Sequence, residues 1–136
     1  MSFVCNAHLP SPDDFDREYP LSANAHAAIL ASRSIASKIL GGEDPRLVLI
    51  LGPCSIHDCE EAMEYGLKIR ALQERVADRF FLIMRVFFEK PRSKLGWKGL
   101  IYDPFLDGSH DLCEGLRRAR KLLLDLTALG VQIGRA

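Results

Sequence analysis

The chain has 136 residues, 48% of them hydrophobic, and its 18 basic and 18 acidic residues leave no formal net charge. This composition fits one soluble globular domain and excludes the broad basic face that bulk nucleic-acid binding needs. No apolar run approaches the roughly 18 residues of a membrane span, and the first residues, Met1 to His8, show no basic segment followed by an apolar one, so neither membrane insertion nor secretion is expected.

Residues 1–21 carry Pro10, Pro12 and Pro20 and the acidic pair Asp13-Asp14, and read as an irregular arm. From Asn24 to Leu40 the positions Ala25, Ala28, Ile29, Ile35, Ala36, Ile39 and Leu40 recur at helical spacing. Ser22 or Asn24 can cap this helix and Gly41-Gly42 can stop it. Residues 1–45 therefore form an N-terminal extension with one helix, and residues 46–136 a second unit. Leu47 to Leu51 is an unbroken aliphatic run, the kind of strand covered on both faces in a parallel sheet. Asp58 can cap a second helix, with Glu60 and Glu61 well placed in its first turn and Ala62, Tyr65, Ile69, Leu72 and Val76 on its inner face. Phe80 to Arg85 is a second strand. The connection from about residue 86 to 110 holds Trp97, Leu100, Ile101, Tyr102 and Phe105, which favour a packed, functional loop. Asp111 can cap a third helix with Leu112, Leu116, Ala119, Leu123, Leu126 and Leu129 inward, and Val131 to Ile133 begins a third strand. Strands alternating with helices predict a parallel α/β sheet, either doubly wound or a (β/α)₈ barrel, whose ligands gather at the C-terminal strand ends.

Two segments fall at those ends. After the first strand, Gly52-Pro53 breaks the run and Cys54 follows at the lip of the sheet. After the second, residues 85–98 hold Arg85, Lys90, Arg92, Lys94 and Lys98 against Glu89 alone, an excess of four positive charges in a chain that is neutral as a whole. Such a concentration suits phosphate or carboxylate ligands, although a solvated charged loop would have the same composition. Cys5, Cys54, Cys59 and Cys113 form no CxxC pair and no disulfide framework, which favours a reduced, cytoplasmic setting over a redox role for Cys54 and Cys59. Cys54, His57 and Cys59 fit no standard structural zinc spacing.

Gly52-Pro-Cys-Ser-Ile-His-Asp58, Met84-Arg-Val-Phe-Phe-Glu-Lys-Pro-Arg-Ser93, Gly96-Trp-Lys-Gly-Leu-Ile-Tyr-Asp-Pro104 and Asp107-Gly-Ser109 together resemble the type I 3-deoxy-D-arabino-heptulosonate 7-phosphate (DAHP) synthases, over about residues 8 to 131. The resemblance implies a (β/α)₈ barrel with a helical N-terminal extension, and condensation of phosphoenolpyruvate with erythrose 4-phosphate, the first step of the shikimate route to aromatic amino acids. It implies Cys54 as a metal ligand, Arg85 and Lys90 as phosphoenolpyruvate-binding residues, Lys90 as the catalytic proton donor, and Pro91, Arg92 and Ser93 as the segment that receives erythrose 4-phosphate. It also implies a divalent metal (Mn, Fe, Co, Cu or Zn, which a thiolate favours over Mg), small phosphorylated metabolites as partners, and a homo-oligomer, with no nucleic acid and no membrane. Ser93 stands where the family more usually has Thr, and Tyr102 where Asn is common.

A full barrel needs about 200 residues or more, so the expectation is an incomplete barrel truncated near its third strand. The family's remaining metal ligands, a His, a Glu and an Asp, have no counterpart among these residues. The isolated chain is expected to be inactive and poorly soluble. Two other readings stay open: a small non-catalytic anion-binding module, and a remnant that docks on a full-length synthase.

Overall fold

A computed structural model describes residues 9–90, 92 and 95–134. The element order is α1 (Pro12–Glu18), α2 (Ala23–Leu40), β1 (Leu47–Leu51), α3 (Cys59–Val76), β2 (Phe80–Arg85), α4 (Leu112–Ala128) and β3 (Ile133–Gly134). The three strands form one parallel sheet in the order β1-β2-β3. Leu47 pairs with Phe80 and Leu51 with Met84, while Met84 and Arg85 pair with Ile133 and Gly134. The α/β alternation and both long strands agree with the sequence reading, residue for residue.

Successive strand residues point to opposite faces. Leu82 and Met84 point to the face covered by α3 and α4, where they are 1% and 0% exposed and pack among Ala62, Ile69, Ala119, Leu122 and Leu126. The helices come close because Gly66 is buried on α3 against the Leu126 side chain of α4. Asp58 caps α3 by accepting from the amides of Glu60 and Glu61, and Asp111 caps α4 by accepting from Glu114 N. Gln73 anchors α3 to β2, donating to Phe80 O and accepting from Leu82 N.

The extension differs from its sequence reading. It carries two helices, not one. Ser11 and Asp14 form a reciprocal capping box at the start of α1, with Pro12 in the first turn where its missing amide costs nothing. Ser22 caps α2, and Ala25, Ile29, Ser32, Ile35, Ala36 and Ile39 are its half-buried positions. None is fully buried, and Leu40, expected inward, is 81% exposed. The extension is fastened to α4 largely by polar contacts. Arg117 pairs with Glu18 at 3.1 Å and Arg120 with Asp16 at 2.8 Å, and Arg120 also donates to Tyr19 O. Ser32 hydrogen-bonds Gln132 just before β3. On α4 itself the buried stripe runs through Gly115, Ala119, Leu122 and Leu126, with Leu123 half-buried beside it.

β1 departs most from expectation. Its burial was expected on both faces, yet Leu47, Leu49 and Ile50 are 64%, 44% and 49% exposed. It is the edge of the sheet, and among the described residues no strand pairs with its outer side.

Candidate active site

The ends of β1 and β2 are laced together. The backbone of Gly52 passes so close to that of Arg85 that a Cβ on Gly52 would lie 2.6 Å from Arg85 O, so only glycine lets the chain leave β1 at this angle. Past the Gly-Pro break, Arg85 Nη1 donates to Pro53 O at 3.0 Å and to Cys54 O at 2.7 Å. Ile56 N then donates to Phe87 O at 2.7 Å, closing the seam one step further out. The Arg85 guanidinium also lies over the Phe87 ring, 5.0 Å from its centroid, a cation–π arrangement that fixes its plane. The expected metal ligand and the expected phosphoenolpyruvate arginine are thus neighbours at one end of the sheet, with Cys54 exposed as a free thiol.

Beyond Val86 and Phe88, which are buried at 2% and 5% exposure, Glu89 and Gly99 form an antiparallel bridge, and Lys90 N donates to Lys98 O at 2.8 Å. Lys90 therefore sits at the base of a closed loop, half-buried. Arg92 is exposed and lies beside Gly96, where an added Cβ would come within 3.1 Å of Arg92 Cδ. Pro91 and Ser93, expected to receive erythrose 4-phosphate, lie outside the described residues.

The aromatic connection is packed as the sequence reading expected, and it is held by Asp103, Gly115 and Arg118, to which that reading gave no part. Asp103, 7% exposed, accepts from Gly108 N at 3.2 Å through both carboxylate oxygens, and its carbonyl accepts from the Trp97 indole at 2.8 Å. Gly115 at the start of α4 leaves room for Ile101, whose carbonyl would sit 2.1 Å from a Cβ there. Arg118 ties the same stretch to α4, donating to Pro104 O and stacking on Phe105 with its guanidinium carbon 4.4 Å from the ring centroid. Asp103 amid the apolar and aromatic residues of the loop, with Gly99 and Gly108 on either side, is the sequence signal that could have exposed this scaffold.

Other thiols and histidines have ordinary settings. Burial pushes the Cys59 thiol up from its usual pKa, which makes it a poor nucleophile or ligand at neutral pH. His57 Nε2 sits 3.6 Å from Glu61 on the first turn of α3. Among the described residues no three His, Cys, Asp or Glu side chains come together in a way that could hold a metal ion. Cys54 offers one soft donor, and one donor does not make a centre. A groove of ≈ 850 Å³ between α3, α4 and the aromatic connection is lined by Met63, Leu67, Phe105, Arg118 and Leu122, and takes in none of Cys54, Arg85, Lys90 or Arg92. The candidate site is an open ledge at the strand ends, since three strands cannot enclose a barrel mouth. No helix among the described residues is long and apolar enough to cross a membrane.

Comparison with known proteins agrees with this geometry. The model of the DAHP synthetase I family matches residues 18–134. The Tyr-sensitive phospho-2-dehydro-3-deoxyheptonate aldolase of Escherichia coli (strain K12) is 50% identical over 125 residues, covering 92% of this chain and 35% of that protein. The phospho-2-dehydro-3-deoxyheptonate aldolase of Amycolatopsis methanolica is 48% identical over 126 residues, covering 93% of this chain and 62% of that protein. The solved phospho-2-dehydro-3-deoxyheptonate aldolase of Francisella tularensis SCHU S4 superposes with a TM-score of 0.90 at 38% identity, covering 97% of this chain and 39% of that one. The chain thus spans about a third of the length of the Escherichia coli relative. Its sheet is the N-terminal part of a (β/α)₈ barrel, and the chain belongs to the DAHP synthetase I family.

Proposed function

We propose that this chain forms one part of a DAHP synthase active site, joining phosphoenolpyruvate to erythrose 4-phosphate in the cytoplasm in the first step of aromatic amino-acid biosynthesis. The observation that carries this reading is the contact of the Arg85 guanidinium with the carbonyls of Pro53 and Cys54, which ties the thiol-bearing segment to a cationic strand end. Both substrates are dense anions and repel one another. Arg85 and Lys90 would hold phosphoenolpyruvate through its phosphate and carboxylate, and Arg92, with Pro91 and Ser93, would take the phosphate of erythrose 4-phosphate. Arginine can grip such groups in bidentate fashion, while lysine offers a compact charge and a transferable proton. Held together, the enol carbon attacks the sugar aldehyde carbon and forms the new carbon–carbon bond. Lys90 delivers a proton to the aldehyde oxygen. Water adds at the phosphate-bearing carbon of the former enol, and inorganic phosphate leaves to give the ketone.

Cys54 would contribute one ligand to a divalent cation. The remaining ligands would come from polypeptide beyond these residues. For the same reason, activity would require that further polypeptide, and the assembled enzyme would be a homo-oligomer.

The test is a single polypeptide in which this chain replaces the matching segment of the Escherichia coli relative. It should release phosphate only when both substrates are present. Lys90→Ala should lower kcat by about 100-fold or more, the usual worth of a general acid. Arg85→Ala should raise KM for phosphoenolpyruvate. Unchanged turnover in Lys90→Ala would overturn the assignment of that residue, and a chimera that folds but never consumes erythrose 4-phosphate would overturn the reading as a whole.

A further inference from the structure

We infer that Trp97 and Asp103 are positioning residues that aim Lys90 at the reacting aldehyde. The inference rests on the role given to Lys90 above and adds what places that side chain. A general acid must come within hydrogen-bond reach of the atom it protonates, and lysine carries its proton on a long flexible stem, so its main chain has to be fixed by other groups. Lys90 lies past Arg85, the last residue of β2, where the parallel ladder no longer holds the chain. Residues 97–99 take over that task. Lys90 N donates to Lys98 O at 2.8 Å, Glu89 bridges to Gly99, and Gly99 is pressed so closely on the residues before Lys90 that a Cβ there would lie 2.2 Å from Phe88 O.

Residues 97–99 are in turn fastened at Asp103. Its amide donates to Gly99 O at 3.0 Å, its carbonyl accepts from the Trp97 indole at 2.8 Å, and its carboxylate accepts from Gly108 N at 3.2 Å. A carboxylate at 7% exposure is costly to bury without such a partner. The neighbouring residues are anchored to α4: Arg118 donates to Pro104 O at 3.0 Å, and Ile101 lies against Gly115. A line of contacts therefore runs from α4 through Asp103 and Trp97 to residues 97–99, and from there to the main chain of Lys90. A misplacement of about 1 Å at a reacting group can lower turnover about 100-fold, so a line this rigid bears on rate more than on binding. Trp97 and Asp103 act through Lys90, with no contact to substrate required of either.

The experiment has two arms. In the full chain, Asp103→Ala should speed amide exchange at Lys90 N by about tenfold or more and leave Leu82 N, in the core of β2, unchanged. In the chimera described above, Asp103→Ala should lower kcat by about tenfold or more, with KM for erythrose 4-phosphate within about twofold of its starting value. The same substitution added to Lys90→Ala should cost nothing further, because a residue that acts through Lys90 has nothing left to aim. Asp103→Asn, which keeps an oxygen for Gly108 N, should restore most of the lost turnover. Trp97→Phe keeps a ring in place and removes only the indole donor, so it supplies both readings where Asp103→Ala loses its fold. Unchanged exchange at Lys90 N, unchanged kcat, or an equal loss of kcat in the Lys90→Ala background would overturn the inference. A chimera inactive before any substitution would count against the chemical reading alone, and exchange at Lys90 N would then decide whether Asp103 and Trp97 hold that residue.

Discussion

β1 and β2 are almost interchangeable as sequences. Leu47-Val-Leu-Ile-Leu51 and Phe80-Phe-Leu-Ile-Met84 are both unbroken apolar runs that end where a cationic or thiol-bearing segment begins. In the structure one is an edge with three residues more than 40% exposed, and the other holds two of the most deeply buried side chains of the chain. An apolar run records that a strand is built to be covered. Whether the cover belongs to the same polypeptide is a separate matter, decided by topology.

The strongest test of this contrast is truncation. Met84→Ala should cost about 2–5 kcal/mol, because the side chain is fully enclosed between α3 and α4. Leu49→Ala should cost less, about 1 kcal/mol in the isolated chain, since 44% of the residue stays exposed to water. Native-state amide exchange on β2 reads both. Equal costs for the two substitutions would show that β1 is already covered.

A second substitution probes the junction of the two strands. Gly52→Ala places a methyl 2.6 Å from Arg85 O and must pry the strand ends apart. The expected cost is about 1–3 kcal/mol, with early loss of exchange protection at Ile56 N. Unaltered protection there would mean that the seam between the strand ends tolerates the shift.

Helix caps should have smaller effects. Asp58→Ala removes the acceptor for Glu60 N and Glu61 N at the start of α3 and should cost about 1 kcal/mol, read by fraying of the first turn. The smallest effect is a pH dependence away from both strands. The Arg46 side chain and backbone N–H hydrogen-bond the Asp44 carboxylate and hold its pKa down at about 2. A lowered carboxylate pKa adds stability above the unfolded value near 4, and the contribution fades as pH falls through that range toward about 2. Carboxyl titration followed by NMR should show this midpoint, and Arg46→Ala should return it to the ordinary range.

Much of the fold was legible because the signals were local. Both long strands ended where Gly52 and Arg85 interrupt them, and the caps at Asp58 and Asp111 followed from an acceptor side chain placed before a helical pattern. The arrival of Cys54 and Arg85 at one end of the sheet followed from parallel topology alone. What was missed needed information from elsewhere in the chain. Three prolines hid α1, although Ser11 and Asp14 are a sequence-visible capping pair. Leu122, Leu123 and Leu124 are equally apolar, so periodicity could not select Leu122 for the centre of the core. Gly66 and Gly115 are buried through the absence of a side chain, which a hydrophobic pattern cannot register. Leu40 follows the helical stripe, yet nothing among the described residues lies over it closely enough to bury it.

The bare edge of β1 also has a consequence in time. A ribosome adds roughly 5–20 residues per second. In a relative that continues far beyond the third strand, the closing strand would leave the ribosome on the order of ten seconds or more after β1. Throughout that interval a greasy, unguarded ribbon waits in a crowded cell, able to pair with any passing strand. Synthesis of such a barrel is a race between closure and misassociation, and Leu47 to Leu51 is where the chain is most vulnerable.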